Sequence, residues 1–187
     1  MLKVRPAEER THVDHSNTLP AIPASWFLRP DGVDGSRGLH GIGHTLRVWV
    51  HADALAADLD LPEWEREAIR LAATWHDIGR TDDAADYYHG GKSAGKVVGL
   101  GLHEGVEPIE VEMALFAVTW HCGDEDRAAK AARWTSDAEA AIRILSVLKD
   151  ADALDRVRLG DLDESWLRFA PSYLRVERAW ELLRELG

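Results

Sequence analysis

Cysteine is almost absent from this chain, which contains a single residue of that type, Cys122, among 187. A lone cysteine excludes an internal disulfide and is typical of a reducing compartment. No apolar run approaches the roughly 20 residues that span a bilayer. The N-terminal sequence MLKVRPAEERTHVDH also lacks the apolar segment of a signal peptide. We therefore expect a cytoplasmic protein that has no membrane partner.

Positive charge is also scarce. The sequence has 22 Lys and Arg residues against 33 Asp and Glu residues, which gives a formal net charge of −11. A surface of this sign repels polyanions, so a partner such as a nucleic acid polymer is disfavoured. A small phosphorylated substrate stays compatible, because a bound cation and a few local Arg or Lys residues can reverse the field inside a cleft. The oligomeric state is left open.

The alternation of apolar and polar residues that marks β-strands is essentially missing. Prolines are concentrated in residues 1–38, which predicts an irregular N-terminal arm with a short helix near Ala24–Leu28. Residues 39–187 instead show helical periodicity throughout, which predicts an all-α fold, a single bundle of six or seven helices. The predicted helices cover residues 40–59, 63–79, 92–103, 108–121, 124–133, 136–158 and 172–186.

Three of these helices carry residue types that bind metal ions. His44 lies on the same face as Val48 in the first helix, given about 100° of rotation per residue. The adjacent His76 and Asp77 lie at the end of the second helix, close to its apolar face. Each of these elements taken alone is more typical of ordinary core or rim packing.

The helix over 136–158 adds a carboxylate in an unusual position. Its apolar side is marked by Ile144 and Leu148, and the helical projection places Asp152 near the centre of that side. Asp155 lies close by, one turn later, whereas Asp150 projects to the opposite side and is expected to face solvent. A carboxylate on an apolar face is costly unless it is paired or bound to a cation. The projection therefore favours Asp152 over Asp150 as a metal ligand.

The order His, His-Asp, Asp on three helices resembles the HD superfamily of metal-dependent phosphohydrolases. The stretches that carry the resemblance are HGIGHTLRV, LAATWHDIGR and LKDADALDRV, which span residues 40–158. The resemblance implies an HD-type helical bundle in which four residues bind a first metal ion. These residues are His44, His76, Asp77 and Asp152. Their nitrogen and oxygen donors suit a divalent transition metal, namely Mn, Fe, Co, Ni or Zn.

Two further histidines are placed as in the binuclear members of the superfamily. His89 precedes a predicted helix in the stretch HGGKSAGKV, and His121 closes another in AVTWHCGDED. The resemblance implies that both bind a second ion, with Asp77 bridging the two metals. The alternatives are a polar residue at a helix N-terminus for His89 and a dipole-favoured residue at a helix C-terminus for His121. The chain is thus expected to bind one or two ions.

One departure from the superfamily concerns the position three residues after Asp77. Alarmone hydrolases and mononuclear nucleotidases carry a glutamate there, but this chain has Arg80, which puts those activities in doubt. Arg80 and Lys92 are instead candidates to clamp a phosphate, and Asp77 is the candidate catalytic carboxylate. The expected reaction is hydrolysis of a small, nucleotide-like phosphate ester or anhydride by a metal-bound hydroxide.

Two other functions use the same ligand set. A di-iron oxygenase on the HD scaffold would need the same histidines, although nothing in the sequence resembles the substrate-contacting residues of those enzymes. A non-catalytic ligand sensor could also keep the metal scaffold, and an intact ligand set argues against it. The sequence does not identify the substrate or the metal.

Overall fold

Helices make up most of the chain in this computed structural model, which describes residues 19–187. The three-dimensional arrangement confirms the predicted all-α class, because no strand occurs in that range apart from an isolated bridge between Leu28 and Asp34. The α-helices are α1 (Ile42–Asp58), α2 (Glu63–Trp75), α3 (His89–Gly99), α4 (Pro108–Trp120), α5 (Glu125–Ala132), α6 (Ala138–Leu154), α7 (Ala170–Tyr173) and α8 (Val176–Leu186).

The helix boundaries follow local sequence signals. Pro62 directly precedes α2, and Pro108 is the first residue of α4, where a missing N–H costs nothing. Asp124 and Asp137 cap α5 and α6, since their side chains accept hydrogen bonds from backbone N–H groups three residues ahead. Several boundaries differ from the prediction by three or four residues. Helix α2 ends at Trp75 rather than residue 79, α3 covers His89–Gly99 rather than 92–103, and α6 ends at Leu154 rather than residue 158.

Helix α6 lies at the centre of the bundle and packs against α1, α2, α4 and α5. Its residues Ile144 and Leu148 are fully buried, in the same core cluster as Val48 of α1 and Met113 of α4. Because of this position, other elements cover α6 on several faces rather than one. The burial of the aspartates near its C-terminus depends on this packing.

The C-terminal helix predicted over residues 172–186 is divided in two. The short α7 ends at Tyr173, and α8 begins at Val176 after a turn at Leu174 and Arg175. Ser172 of α7 is completely buried, and its hydroxyl donates a hydrogen bond to Asp150 of α6 at 2.6 Å. This contact holds α7 against the central helix.

The predicted N-terminal arm is described from residue 19 onward, and residues 1–18 lie outside the described part. A 3₁₀-helix over Ala24–Phe27 confirms the predicted short helix. Phe27 is buried and belongs to the core cluster of the bundle. The division of the chain at residue 38 stays a prediction. Within residues 19–187, every helix is too short or too polar to cross a membrane.

Candidate metal centre

The ends of five helices meet at one place in the bundle, and each contributes a predicted ligand. His44 lies in the first turn of α1, His76 and Asp77 directly follow α2, His89 opens α3, His121 directly follows α4, and Asp152 lies in the last turn of α6. All of these residues other than Asp152 are at least nine-tenths buried. The structure therefore brings together all six residues that the sequence nominated.

The first group consists of His44, His76, Asp77 and Asp152. The Nε2 atom of His44 lies 3.0 Å from Nε2 of His76, 3.4 Å from Oδ2 of Asp77 and 3.5 Å from Oδ1 of Asp152. Oδ2 of Asp77 is also 3.7 Å from Nε2 of His76. Ligands bound to one ion at about 2.0–2.2 Å are separated by similar distances.

The second group lies on the other side of Asp77. The Nε2 atoms of His89 and His121 are 3.0 Å and 3.6 Å from Oδ1 of Asp77, and they lie 2.7 Å from each other. The two oxygens of one carboxylate thus face two different pairs of histidines. This arrangement suits a carboxylate that bridges two cations.

The opposite nitrogen of each imidazole is held by a hydrogen bond. Nδ1 of His44 contacts the Asp155 carboxylate at 2.7 Å, and Nδ1 of His76 contacts the Ala73 carbonyl at 2.8 Å. In the second pair, His89 and His121 contact backbone carbonyls in the same way, those of Asp86 and Val118. When Nδ1 donates, Nε2 presents its lone pair to the centre, as in metal-bound histidines.

Two glycines let the helices come close enough to assemble the second group. A Cβ added to Gly90 would lie 2.4 Å from the Val118 carbonyl oxygen at the end of α4. A Cβ added to Gly79 would lie 2.2 Å from the backbone nitrogen of Ser93 in α3. Both contacts are with backbone, so any larger side chain would push α3 away from its neighbours. Close contact with the backbone of a neighbouring element therefore explains why Gly79 and Gly90 carry no side chain.

Two opposing effects set the pKa values in this cluster: burial disfavours charged groups, and the central carboxylate of Asp77 interacts favourably with protonated imidazoles. Burial alone would raise the pKa of Asp77, but the surrounding imidazoles, His76 first, hold that pKa well below its usual value. Burial lowers the pKa of His76 to about 3. Burial also opposes a charge on His89, yet the hydrogen bond with Asp77 raises its pKa to about 10. The buried carboxylate of Asp77 therefore stabilises a positive charge on His89, whereas His76 stays neutral.

One expectation about this region is wrong. Asp150 does not face solvent, because it is 0% exposed and accepts hydrogen bonds from the backbone N–H groups of Arg168 and Phe169. It also accepts from the Ser172 hydroxyl and the Arg168 guanidinium. The segment before α7 covers the face of α6 that the projection assigned to solvent. Asp152 is the partly exposed residue, with 36% of its side chain accessible.

A supporting pair behind His44 was not singled out in the sequence. Asp155 is 1% exposed and receives two hydrogen bonds from Arg47, from Nε at 2.6 Å and Nη2 at 3.1 Å. Arg47 lies three residues after His44 on α1 and is itself 3% exposed. The signal was present in part, since Asp155 shares a helix face with Asp152. Asp155 orients the imidazole of His44, and Arg47 compensates the charge of Asp155.

The candidate phosphate-binding residues differ in their relation to the centre. Arg80 lies against it, with Nε 3.1 Å from Oδ1 of Asp77. Lys92 is exposed and forms an ion pair with Asp86 at 2.7 Å. The structure thus places only Arg80 of these two in contact with a cluster residue.

A cavity of about 700 Å³ opens onto the cluster from one side. His121 and Asp152 form part of its wall, together with Lys149, and the indole of Trp166 is 67% exposed there. Nothing in the sequence pattern linked Trp166 or Lys149 to the site, because both depend on how the chain after α6 folds back. The cavity gives a small molecule access to the cluster.

Cys122 also borders the second group. Its Sγ atom and ring nitrogens of His89 and His121 all lie within 4.8 Å of one another. Burial raises the pKa of the Cys122 thiol, but a hydrogen bond with His89 and the proximity of His121 outweigh this effect, so the pKa is lowered. In the sequence, this cysteine indicated only the compartment, because its proximity to His89 depends on how the helices pack.

Comparison with protein families agrees with this geometry. The family model described as HD domain matches residues 41–157, more than half of the chain, so the chain belongs to the HD domain family. Members of this superfamily are generally metal-dependent phosphohydrolases. Comparisons with curated proteins and with solved structures returned no match. Family and cluster together indicate a site for divalent metal.

Proposed function

We propose that the chain is a metal-dependent phosphohydrolase that acts on a small, nucleotide-like phosphate ester or anhydride. The observation that carries the proposal is the position of Asp77, whose Oδ2 faces His44 and His76 while Oδ1 faces His89 and His121. A single carboxylate shared by two imidazole pairs is suited to holding two divalent ions side by side.

The residues fit such ions on chemical grounds. His44, His76, Asp77 and Asp152 would hold the first ion, and His89, His121 and the other oxygen of Asp77 would hold the second. Imidazole and carboxylate donors suit Mn, Fe, Co, Ni or Zn. Bound ions of this kind lower the pKa of a coordinated water and polarise a phosphoryl oxygen.

Basic side chains near the centre differ in how well they are placed to contact a bound substrate. Arg80 already donates to Asp77, so its guanidinium is close enough to the cluster to meet a phosphoryl oxygen of a bound substrate. Lys149 has a half-buried ammonium in the cavity wall, where burial lowers its pKa. The role proposed for Lys92 has less support, because its ammonium is paired with Asp86.

The cavity limits the size and kind of substrate. About 700 Å³ is within the range of small-ligand pockets and accommodates a nucleotide but no long polymer. The exposed indole of Trp166 offers a flat surface on which a base can stack. Acidic side chains also line the cavity, among them Asp161 and Asp163, and these favour a substrate that carries hydroxyl or amino groups as hydrogen-bond donors.

The test is phosphate release by purified, metal-reconstituted protein from generic phosphomonoesters and phosphodiesters, nucleotides and dinucleoside polyphosphates. Chelators should abolish activity, and Mn²⁺, Co²⁺ or Ni²⁺ should restore it better than Mg²⁺. Trp166→Ala should raise KM for nucleotides but not for a generic phosphate ester. Trp134→Ala is the matched control, because Trp134 is 91% exposed and outside the cavity lining.

Two results would reject the proposal in different ways. Metal-loaded protein that is inert on every phosphate substrate but consumes oxygen with an alcohol or phosphonate would be an oxygenase. Protein that is inert in both assays and still binds a nucleotide would be a ligand sensor.

A further inference from the structure

The two halves of the metal centre are not equally supplied with ligands. The first group has two histidines and an aspartate of its own, Asp152, in addition to the shared Asp77. The second group has His89 and His121, and its nearest carboxylate is the shared Asp77. A cation on that side would therefore have one protein ligand fewer than its neighbour.

Cys122 lies where that ligand would be needed. It directly follows His121 at the end of α4, and its Sγ is within 4.8 Å of ring nitrogens of both His89 and His121. Zinc-type ions bind sulfur at about 2.3 Å and imidazole nitrogen at about 2.0–2.1 Å, so at the tetrahedral angle the two ligand atoms are about 3.6 Å apart. Binding would therefore require the cysteine side chain to rotate so that Sγ moves closer to the two imidazoles.

Only weak contacts hold the thiol in its present position. Among residues 19–187, Sγ donates one hydrogen bond, to the Tyr87 carbonyl at 3.4 Å, and it also contacts the His89 imidazole. Thiols are weak donors, so replacing this contact by a metal bond costs little. Cys122 is also outside the apolar core cluster, so a packing role does not account for it.

We propose that Cys122 binds the second metal ion together with His89, His121 and the shared Asp77. The inference rests on the proposed two-metal site and adds a soft ligand to one half of it. A thiolate selects Zn²⁺, Co²⁺ or Fe²⁺ over Mn²⁺ and Mg²⁺, whereas the all-nitrogen-and-oxygen first site discriminates less. The two ions of the centre are therefore chemically distinct.

Cobalt titration of the metal-free full-length protein tests this directly. Thiolate-to-cobalt charge transfer absorbs in the near ultraviolet, and Cys122 is the only cysteine in the sequence, so the band can have no other source in the chain. We expect two Co²⁺ per chain and a charge-transfer band that reports the second site. Binding of that ion should also slow the reaction of the thiol with a disulfide reagent.

Variants assign the band to the site. Cys122→Ser should lose it and bind the second Co²⁺ at least about tenfold more weakly, with circular dichroism unchanged. His89→Ala should lose both the band and the second ion while keeping the first. His103→Ala is the control, because His103 lies outside both groups, and it should retain the band.

The possible failures are distinguishable. Two bound Co²⁺ ions without the band would overturn the role of Cys122 and leave the proposed two-metal site standing. One bound Co²⁺ without the band would overturn both. A band that survives His89→Ala would place the thiolate on a different ion and reject the proposed ligand set of the second site.

Discussion

Replacing either Asp150 or Asp152 by alanine should separate stability from metal binding, although the two residues are only two positions apart on α6. Asp150 is completely buried and accepts hydrogen bonds from Arg168, Phe169 and Ser172. Asp152 is 36% exposed on its side chain, and its Oδ1 lies 3.5 Å from Nε2 of His44. One carboxylate thus organises the segment before α7, and the other faces the metal centre.

The expected loss of stability for Asp150→Ala follows from the groups it would leave unpaired. Two backbone N–H groups would lose their acceptor, and the partly buried Arg168 guanidinium would lose one of its carboxylate partners. Each orphaned group costs about 1–3 kcal/mol, and breaking a buried ion pair costs about 3–5 kcal/mol. These costs do not simply add, because the Arg168 guanidinium keeps its contacts with Glu125 and the Trp166 carbonyl. We expect a total of roughly 3–5 kcal/mol, a large share of the about 5–15 kcal/mol that holds a domain folded.

Asp152→Ala should have the opposite profile. In metal-free protein its free energy of unfolding should change by less than about 1 kcal/mol, since the carboxylate is partly exposed and lies 3.5 Å from its imidazole partner. Its first-site metal affinity should fall by at least about tenfold. Metal at about 100 times its Kd stabilises the wild type by about 2.7 kcal/mol, and much of that gain should vanish in this variant.

The assay is urea unfolding of both variants and the wild type, with chelator and with Mn²⁺ or Co²⁺, together with calorimetric metal titration. Asp150→Ala should unfold at lower urea but keep its gain on adding metal. If Asp150→Ala instead lost metal without losing stability, Asp150 would be the ligand and the reasoning would be refuted.

Two further predictions concern Asp155, which contacts His44, and the buried His51. Asp155→Asn should weaken first-site metal binding, measured by calorimetry, about 10–100-fold by weakening the contact that orients His44. The control is Asp53→Asn on α1, which alters an aspartate paired with Arg70 outside the cluster and should leave metal binding unchanged. Equal losses would contradict the prediction. His51 is 0% exposed with no hydrogen-bond partner for either ring nitrogen within residues 19–187, and burial lowers its pKa to about 3. Neutral His51 therefore makes its full contribution to the free energy of unfolding above about pH 6.5. That contribution is lost as the pH falls toward 3, by about 2–3 kcal/mol at about pH 4.5. His51→Leu should flatten the pH dependence of the free energy of unfolding in this range, measured with urea, and an unchanged slope would show that His51 is not its cause.

The sequence by itself determined the class of fold and nominated the residues of the candidate site. Helical periodicity continues from residue 40 onward, and several helix starts are marked by a proline or a capping aspartate, so local chemistry suffices to place most elements. His44, His76 and Asp77 could be nominated because residue type and spacing are properties of the chain. A carboxylate on the apolar face of a helix, such as Asp152, also stands out in a helical projection.

Only the tertiary structure decided which faces of α6 are covered. A projection assumes one buried side, but the chain before α7 packs on the other side and encloses Asp150. The same fold-back places Trp166 beside the metal centre, and the meeting of α3 and α4 places Cys122 beside His89. These contacts join residues from different elements, and no local propensity encodes such pairings, because they depend on how complete helices pack.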